Sequence, residues 1–252
     1  MPFKTDGSVH HSGVRNEHAT ADLFNKNTPA VLQAAYPGKT LRFVQKGGTG
    51  QVDDIEVYID HEKVTGISTK HHGQSGTFDY IKTSKVRDYL PSIEPLVAEV
   101  DAFKKEHRNQ PDAVEPFRML IKERVDALWT TMTSDNIRNL LKVIHERNSH
   151  WVCVTTSDKL IVFPHADIKE LSEYPYDPNV IYELRNTRAQ GSRQIWRIKN
   201  GEAVNTYLRI RLLLNNGVTA ALGLSSANSN ASMCIQVQQD NVDGLLKQVA
   251  LS

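Results

Sequence analysis

Residues 52–72, VDDIEVYIDHEKVTGISTKHH, carry the side chains best suited to chemistry. They read as two short strands joined by a tight turn at Asp60-His61-Glu62. Side chains two apart in a strand share a face, so Asp54 and Glu56 fall on one face of the first strand. Ser68 and Lys70 fall on one face of the second. A carboxylate from one strand and a lysine from its neighbour can then meet at a shared edge. That combination suits divalent-metal hydrolysis of a phosphodiester: the carboxylate holds a hard cation, while the lysine positions water or stabilises developing charge. The plainer alternative is a solvated hairpin with scattered charges, which spacing alone favours because charged hairpins are common.

The surrounding elements must position these groups. A first helix is expected from about Val14 to Lys26, with Ala21, Leu23 and Phe24 as its apolar contacts. Glu17 lies in its first turn, where a carboxylate complements the helix dipole. Leu41 to Gln45 reads as a strand. The glycine-rich run after it, Lys46 to Gly50, is a turn and not a phosphate-binding loop, because no Gly-Lys-Ser/Thr follows. Beyond Lys70, Gly73 and Gly76 mark a loop before a short helix or turn beginning near Phe78. Gln74, Lys82 and Lys85 there can reach bases or phosphates, and Tyr80 can stack on a base. Residues 92–149 read as three helices with apolar stripes, the third capped by Ser134.

A hairpin, Trp151 to Thr155 with Lys159 to Phe163, comes next, followed by strands at Val180 to Leu184 and Gln194 to Ile198. Val204 to Leu214 alternates, with Leu208, Ile210, Leu212 and Leu214 on one face and Arg209 and Arg211 on the other. Two more strands, Thr219 to Leu224 and Ser232 to Gln238, flank a loop containing Ser226, Asn228 and Asn230. Amide side chains in such a loop can read adenine.

With 252 residues, 39% hydrophobic and 23% charged, the chain has the composition of a soluble globular protein with ample capacity for a core. It shows neither an apolar run of bilayer length nor the apolar centre of a signal peptide near its start. Cys153 and Cys234 each sit in an apolar strand-like run, which argues for a reducing, cytoplasmic setting over a disulfide or zinc site. A net charge of +1 does not advertise a nucleic-acid binder. Its distribution is more suggestive: Arg185, Arg188, Arg193, Arg197, Lys199, Arg209 and Arg211 are set against Glu202 alone. Such a stripe suits phosphates or an ordinary solvated surface equally.

The Asp54-to-Lys70 segment resembles the core of PD-(D/E)xK nucleases. Asp54 matches the family's aspartate and Lys70 its lysine, while Ser68 stands where the pattern has an acid. Gly13-Val14-Arg15-Asn16-Glu17 with Ala21-Asp22-Leu23-Phe24 is similar to the opening helix of the small HinP-type and Msp-type four-base cutters. The resemblance covers roughly the first 85 residues, reaches the C-terminal strands weakly, and hardly touches the middle. It implies an α/β fold with a mixed central sheet, helix one on one side, a helical middle block and a β-rich C-terminal region. The corresponding blocks are residues 1–90, 91–150 and 151–252, within one compact domain.

In function it implies a type II restriction endonuclease cutting double-stranded DNA with Mg²⁺, as a monomer or homodimer. A cognate DNA methyltransferase would be its genetic partner, and no membrane is involved. Asp54, the Thr69 carbonyl and Glu17 would hold the metal, with Lys70 acting on the attacking water. Gln74, Tyr80, Lys82, Arg188, Arg193, Ser226, Asn228 and Asn230 would contact DNA. A nicking enzyme or junction resolvase on the same core is an alternative. A non-catalytic DNA-binding protein is another, kept open by Ser68.

Overall fold

A computed structural model describes residues 8–46, 53–71, 77–83, 91–146, 149–155, 160–187, 192–214 and 231–238. In chain order these form α1 (Ser8–Lys26), α2 (Ala30–Ala35), β1 (Arg42–Gln45), β2 (Ile55–Ile59), β3 (Glu62–His71) and β4 (Thr77–Thr83). Next come α3 (Glu94–Glu106), α4 (Val114–Trp129), α5 (Ser134–Glu146), β5 (Trp151–Thr155), β6 (Leu160–Pro164) and the single-turn α6 (Lys169–Ser172). Strands β7 (Ile181–Asn186), β8 (Ser192–Lys199), β9 (Glu202–Leu214) and β10 (Ala231–Gln238) follow. The α/β expectation therefore holds. The strands form two five-stranded sheets where a single central sheet was expected, in the orders β1-β2-β3-β5-β6 and β4-β10-β9-β8-β7.

The chain divides into two compact units, and the division does not follow the three consecutive blocks read from the sequence. The first unit contains α1, α2, β1–β3, β5, β6 and α6. The second contains α3, α4, most of β4 and β7–β10, and the boundary falls inside α5 after Lys142. The hairpin β5–β6 thus belongs with the N-terminal strands and not with the later β-rich region.

In the first unit, β1, β2 and β3 run antiparallel, with Phe43↔Val57 and Ile55↔Ile67 in register. The β2–β3 turn places Asp60 and His61 at φ 47° and 75°. Two successive left-handed residues make the hairpin turn whose twist matches the flanking strands, and Asp tolerates that conformation better than most residues. β3 then pairs in parallel with β5, Ser68 opposite Val152 and Lys70 opposite Val154, which makes the sheet mixed. Alternation puts Phe43, Ile55, Val57, Ile67, Trp151 and Cys153 into one core with Ala21 and Phe24 of α1. Phe24 meets Phe43 edge to face at 5.4 Å. On the same helix, the Asn25 carboxamide donates to the Phe43 carbonyl at 2.8 Å and accepts from its N–H at 2.9 Å. This bidentate contact satisfies backbone groups that the edge strand β1 would otherwise expose. α1 is longer than expected, beginning at Ser8.

Gly66 has a specific reason to be glycine. A Cβ there would lie 2.0 Å from Cγ of Asp53, so the aspartate occupies the space a side chain would need.

In the second unit, the pairs β7–β8, β8–β9 and β9–β10 are antiparallel. β4 corrects the expected helix or turn near Phe78: Gly73 and Gly76 precede a strand, in keeping with the β-favouring Thr, Phe, Tyr and Ile of its sequence. The expected cap of α5 also moves by one residue. Thr133 Oγ1 accepts from the Asn136 N–H at 3.2 Å, and Asn136 Oδ1 accepts from the Thr133 N–H at 3.0 Å. Ser134 is released to accept from the Tyr182 N–H at 2.9 Å. Arg138 holds the turn before β7, donating to the carbonyls of Asp177 (2.6 Å) and Val180. Among the described residues no helix is long and apolar enough to cross a membrane.

Substituting Gly66 with alanine should cost about 1–3 kcal/mol through overpacking against Asp53. Urea denaturation should show a clearly smaller cost in an Asp53→Ala background, because the clash partner is then gone. Equal costs in the two backgrounds would refute the close approach.

Candidate active site

The backbone around Asp54 is fixed before its side chain acts. Its N–H donates to the Ile67 carbonyl at 3.1 Å, and its own carbonyl accepts from the Lys46 N–H at 2.9 Å. Asp54 therefore stands just ahead of β2, tied to both neighbouring strands. Its Oδ2 accepts the Thr69 N–H at 2.6 Å, with the Ser68 and Thr69 hydroxyls each at 3.3 Å. Lys70 Nζ donates to Ser68 Oγ at 2.6 Å. The sequence expectation that Asp54, Ser68 and Lys70 meet at a shared strand edge is thus realised as a chain of contacts.

Two oxygens here have the right character for a hard cation. Asp54 Oδ1 accepts no hydrogen bond among the described residues, all three contacts falling on Oδ2. In an extended strand the N–H and C=O of one residue point to the same side, so the Thr69 carbonyl faces the Asp54 edge with its N–H. Among the described residues no group of three or more His, Cys, Asp or Glu could hold a metal. The donor set fits a cation held by one carboxylate and one carbonyl whose shell is completed by water and phosphate oxygens, a pattern familiar for Mg²⁺.

Glu17 is brought toward the same end of the sheet. Its Oε2 accepts from Gln45 Nε2 at 3.0 Å, and Gln45 lies in register with Ile55, the residue after Asp54.

Glu56, which shares strand parity with Asp54, is committed elsewhere. Its Oε2 accepts the Tyr58 hydroxyl at 2.6 Å and its Oε1 accepts Lys63 Nζ at 2.9 Å. The Tyr58 hydrogen bond first, and then Lys63, hold its carboxyl below the ordinary range. Lys63 also donates to Asp53 Oδ2 at 2.8 Å, and Asp53 Oδ1 accepts from Ser149 Oγ at 2.6 Å. Asp53 leads the causes that raise the Lys63 pKa, with Glu56 next. Asp53 is a residue the sequence reading passed over, and the glycine opposite it at Gly66 is the signal that could have marked it.

His165 is a second omission. It follows β6, is 3% exposed, and its ring centroid lies 5.2 Å from that of His145. Burial, then the charges of His145 and Lys70, push its pKa down to about 3. Nothing in the sequence around a single histidine distinguishes it from a solvated one.

The expected DNA contacts fall in several groups. Gln74, Arg188, Ser226, Asn228 and Asn230 lie outside the described residues, as do the side chains of Tyr80 and Lys82, whose backbone forms β4. Arg193 Nη2 donates to Asp126 Oδ1 at 2.9 Å. The wider basic stripe is partnered rather than bare. Arg185 stacks over Trp196 at 3.9 Å and pairs with Glu183, Arg197 stacks over Tyr174 at 3.9 Å, and Lys199 pairs with Asp177 at 2.8 Å. Arg209, expected on the polar face of its strand, is buried at 5% exposure. A register shift between Gln194 and Trp196, and φ 61° at Tyr207, mark an irregularity in the β8–β9 pairing beside it, while Leu208, Ile210 and Leu212 stay buried on the opposite face.

The chain matches no protein-family model, no curated protein and no solved structure.

The buried His165 gives a pH dependence with a definite sign. Between its ordinary 6.5 and about 3, the unfolded chain binds a proton that the folded chain does not. Its neutral burial therefore costs nothing above pH 6.5, and stability falls as pH drops through that window. Urea midpoints from pH 7 to pH 4 should fall less steeply in His165→Gln than in the parent protein.

Proposed function

We propose that the protein is a Mg²⁺-dependent phosphodiesterase acting on double-stranded DNA, of the type II restriction endonuclease kind. The observation that carries this reading is the contact chain from Lys70 through Ser68 to Asp54, with the Thr69 N–H on the same carboxylate. An acid with an open oxygen and an ammonium held beside it are the two groups that metal-assisted phosphodiester hydrolysis requires. The resemblance of this segment to PD-(D/E)xK nucleases supplies the word restriction. It also supplies a protective DNA methyltransferase as genetic partner and a cytoplasmic setting.

In this mechanism Asp54 Oδ1 and the Thr69 carbonyl would hold the cation, and Glu17 of α1, whose Oε2 accepts from Gln45, would serve as an outer carboxylate. A bound Mg²⁺ supplies Lewis acidity toward the phosphate. Lys70 presents its ammonium to the attacking water and the developing phosphorane charge, a contribution that is largest where solvent is excluded. Asp54 and Ser68 keep that ammonium in place through the approach of DNA.

A DNA-binding protein without catalysis is favoured by one observation: among the described residues Asp54 is the acid that reaches Ser68, and Ser68 occupies the position of the second. Incubating the purified protein with a long mixed-sequence duplex, in Mg²⁺ and in EDTA, separates the readings. Discrete Mg²⁺-dependent fragments are expected. Lys70→Ala and Asp54→Ala should each lower the cleavage rate by at least about 100-fold with circular dichroism unchanged. Nicked circles alone would indicate a nickase, and cutting confined to branched DNA a junction resolvase. Specific binding with no metal-dependent product would overturn the catalytic reading.

A further inference from the structure

We propose that Ser68 is a positioning residue that tethers Lys70 to Asp54 and supplies no metal ligand, so that the cation site is completed only when a phosphate oxygen enters it. This rests on the nuclease reading above for the identity of the phosphate and deepens it. The chemistry of the two ends fixes the direction of the contact chain. An ammonium only donates, so the Lys70 N–H takes a lone pair of Ser68 Oγ at 2.6 Å. An ionised carboxylate only accepts, so the single proton of Ser68 points toward Asp54 Oδ2 at 3.3 Å.

Ser68 is 3% exposed and lies in register with Val152 of the parallel neighbour, so water has little access to its remaining lone pair. A cation placed on that oxygen would sit beside the ammonium, at a separation where like charges repel strongly in a partly buried setting. Ser68 is therefore a spacer between a positive and a negative group.

The consequence lies in the charge count. Of the side chains placed directly at the cation, Asp54 contributes one negative charge and Ser68 contributes none. Affinity for hard divalent cations follows the number and charge of the oxygens offered, and Mg²⁺ sites with few carboxylates rely on substrate phosphates. The protein alone holds the cation weakly, and DNA brings the missing charge. An acid at position 68 would remove this dependence, because it would add both a ligand and a charge while still accepting from Lys70.

Two measurements on the full chain test this without relying on cleavage. The first titrates Mn²⁺ alone and follows the free ion by electron paramagnetic resonance. The parent protein should show no site tighter than about 1 mM. Ser68→Asp should create one at least tenfold tighter, and Ser68→Asp combined with Asp54→Ala should abolish it. Binding of Mn²⁺ by the parent protein within threefold of Ser68→Asp overturns the proposal. The second records lysine side-chain ¹⁵N resonances, with Lys70 assigned by its loss in Lys70→Ala. The Lys70 ammonium signal should keep its chemical shift and exchange rate in Ser68→Thr, which keeps a hydroxyl, and should shift and exchange measurably faster in Ser68→Ala. Equal behaviour of these two variants overturns the tether. Assaying DNA cleavage on the same preparations separates the two proposals. Absent cleavage with the tether signals intact removes the nuclease reading alone, and cleavage without those signals removes the tether alone.

Discussion

The carboxylate of Asp53, lying where Gly66 would carry its Cβ, is the contact on which the rest of the site depends. It allows only one register between the approach to β2 and the body of β3. Sliding β3 by one residue would set Thr65 or Ile67 against the aspartate and turn the core-facing Ile67 to the opposite face. With the register fixed, the Asp54 N–H meets the Ile67 carbonyl and the Asp54 carboxylate meets the Thr69 N–H. Ser68 and Lys70 are then on the face away from α1, because Ile67 is on the face toward it. A packing constraint at one glycine thereby sets the positions of groups two to four residues further along.

The acids around this hairpin sort themselves by how many of their oxygens are already used. Asp53 spends one oxygen on Ser149 and one on Lys63, and Glu56 spends one on Lys63 and one on Tyr58. Exposed ion pairs such as those of Lys63 contribute little to stability by themselves. Their effect here is to withdraw two carboxylates from competition for a cation. Among the described residues Asp54 keeps an oxygen open, and its backbone is held on both sides, so that oxygen is also a well-placed one. Strand parity makes Asp54 and Glu56 equivalent; hydrogen-bond occupancy does not.

Much of this was legible in the sequence where local pattern and tertiary structure agree. The β2–β3 hairpin, its turn at Asp60-His61, the apolar stripes of α3 to α5 and the β5–β6 hairpin all express short-range periodicity. The readings that failed depend on partners distant in sequence. β4 reads as a helix or turn because Gly73 and Gly76 precede it, yet its strand pairs with β10, whose sequence lies near the other end of the chain. The basic stripe suits phosphates and a solvated surface equally in the sequence because only Glu202 lies within it, whereas its partners Asp126, Asp177 and Glu183 lie outside that window. Arg209 reads as exposed because alternation gives the face a residue takes and not what covers that face: Leu208, Ile210 and Leu212 alternate as expected, yet Arg209 on the other face is buried. Choosing Asp54 over Asp53 required knowing what each faces across β3; the resemblance selected it, and hydrogen-bond occupancy gives a physical reason.

The parallel pairing of β3 with β5 is the last step in assembling the site. Antiparallel β2 and β3 form a hairpin from adjacent sequence, so Asp54 and Ser68 can approach one another early. Ser68 acquires its buried setting, and Lys70 its half-buried one, only when Val152 and Val154 arrive beside them, after the chain has passed through α3, α4 and α5. Closing so long a loop is costly and slow relative to a local hairpin. The arrival of β5 removes water from Ser68, and a hydroxyl between an ammonium and a carboxylate holds them more firmly once water no longer competes. The same strand carries Trp151 and Cys153 into the core with α1. One face of β5 thus completes the core while the other encloses the contact chain, so the electrostatics of Asp54, Ser68 and Lys70 belong to the folded unit and not to the hairpin that supplies them.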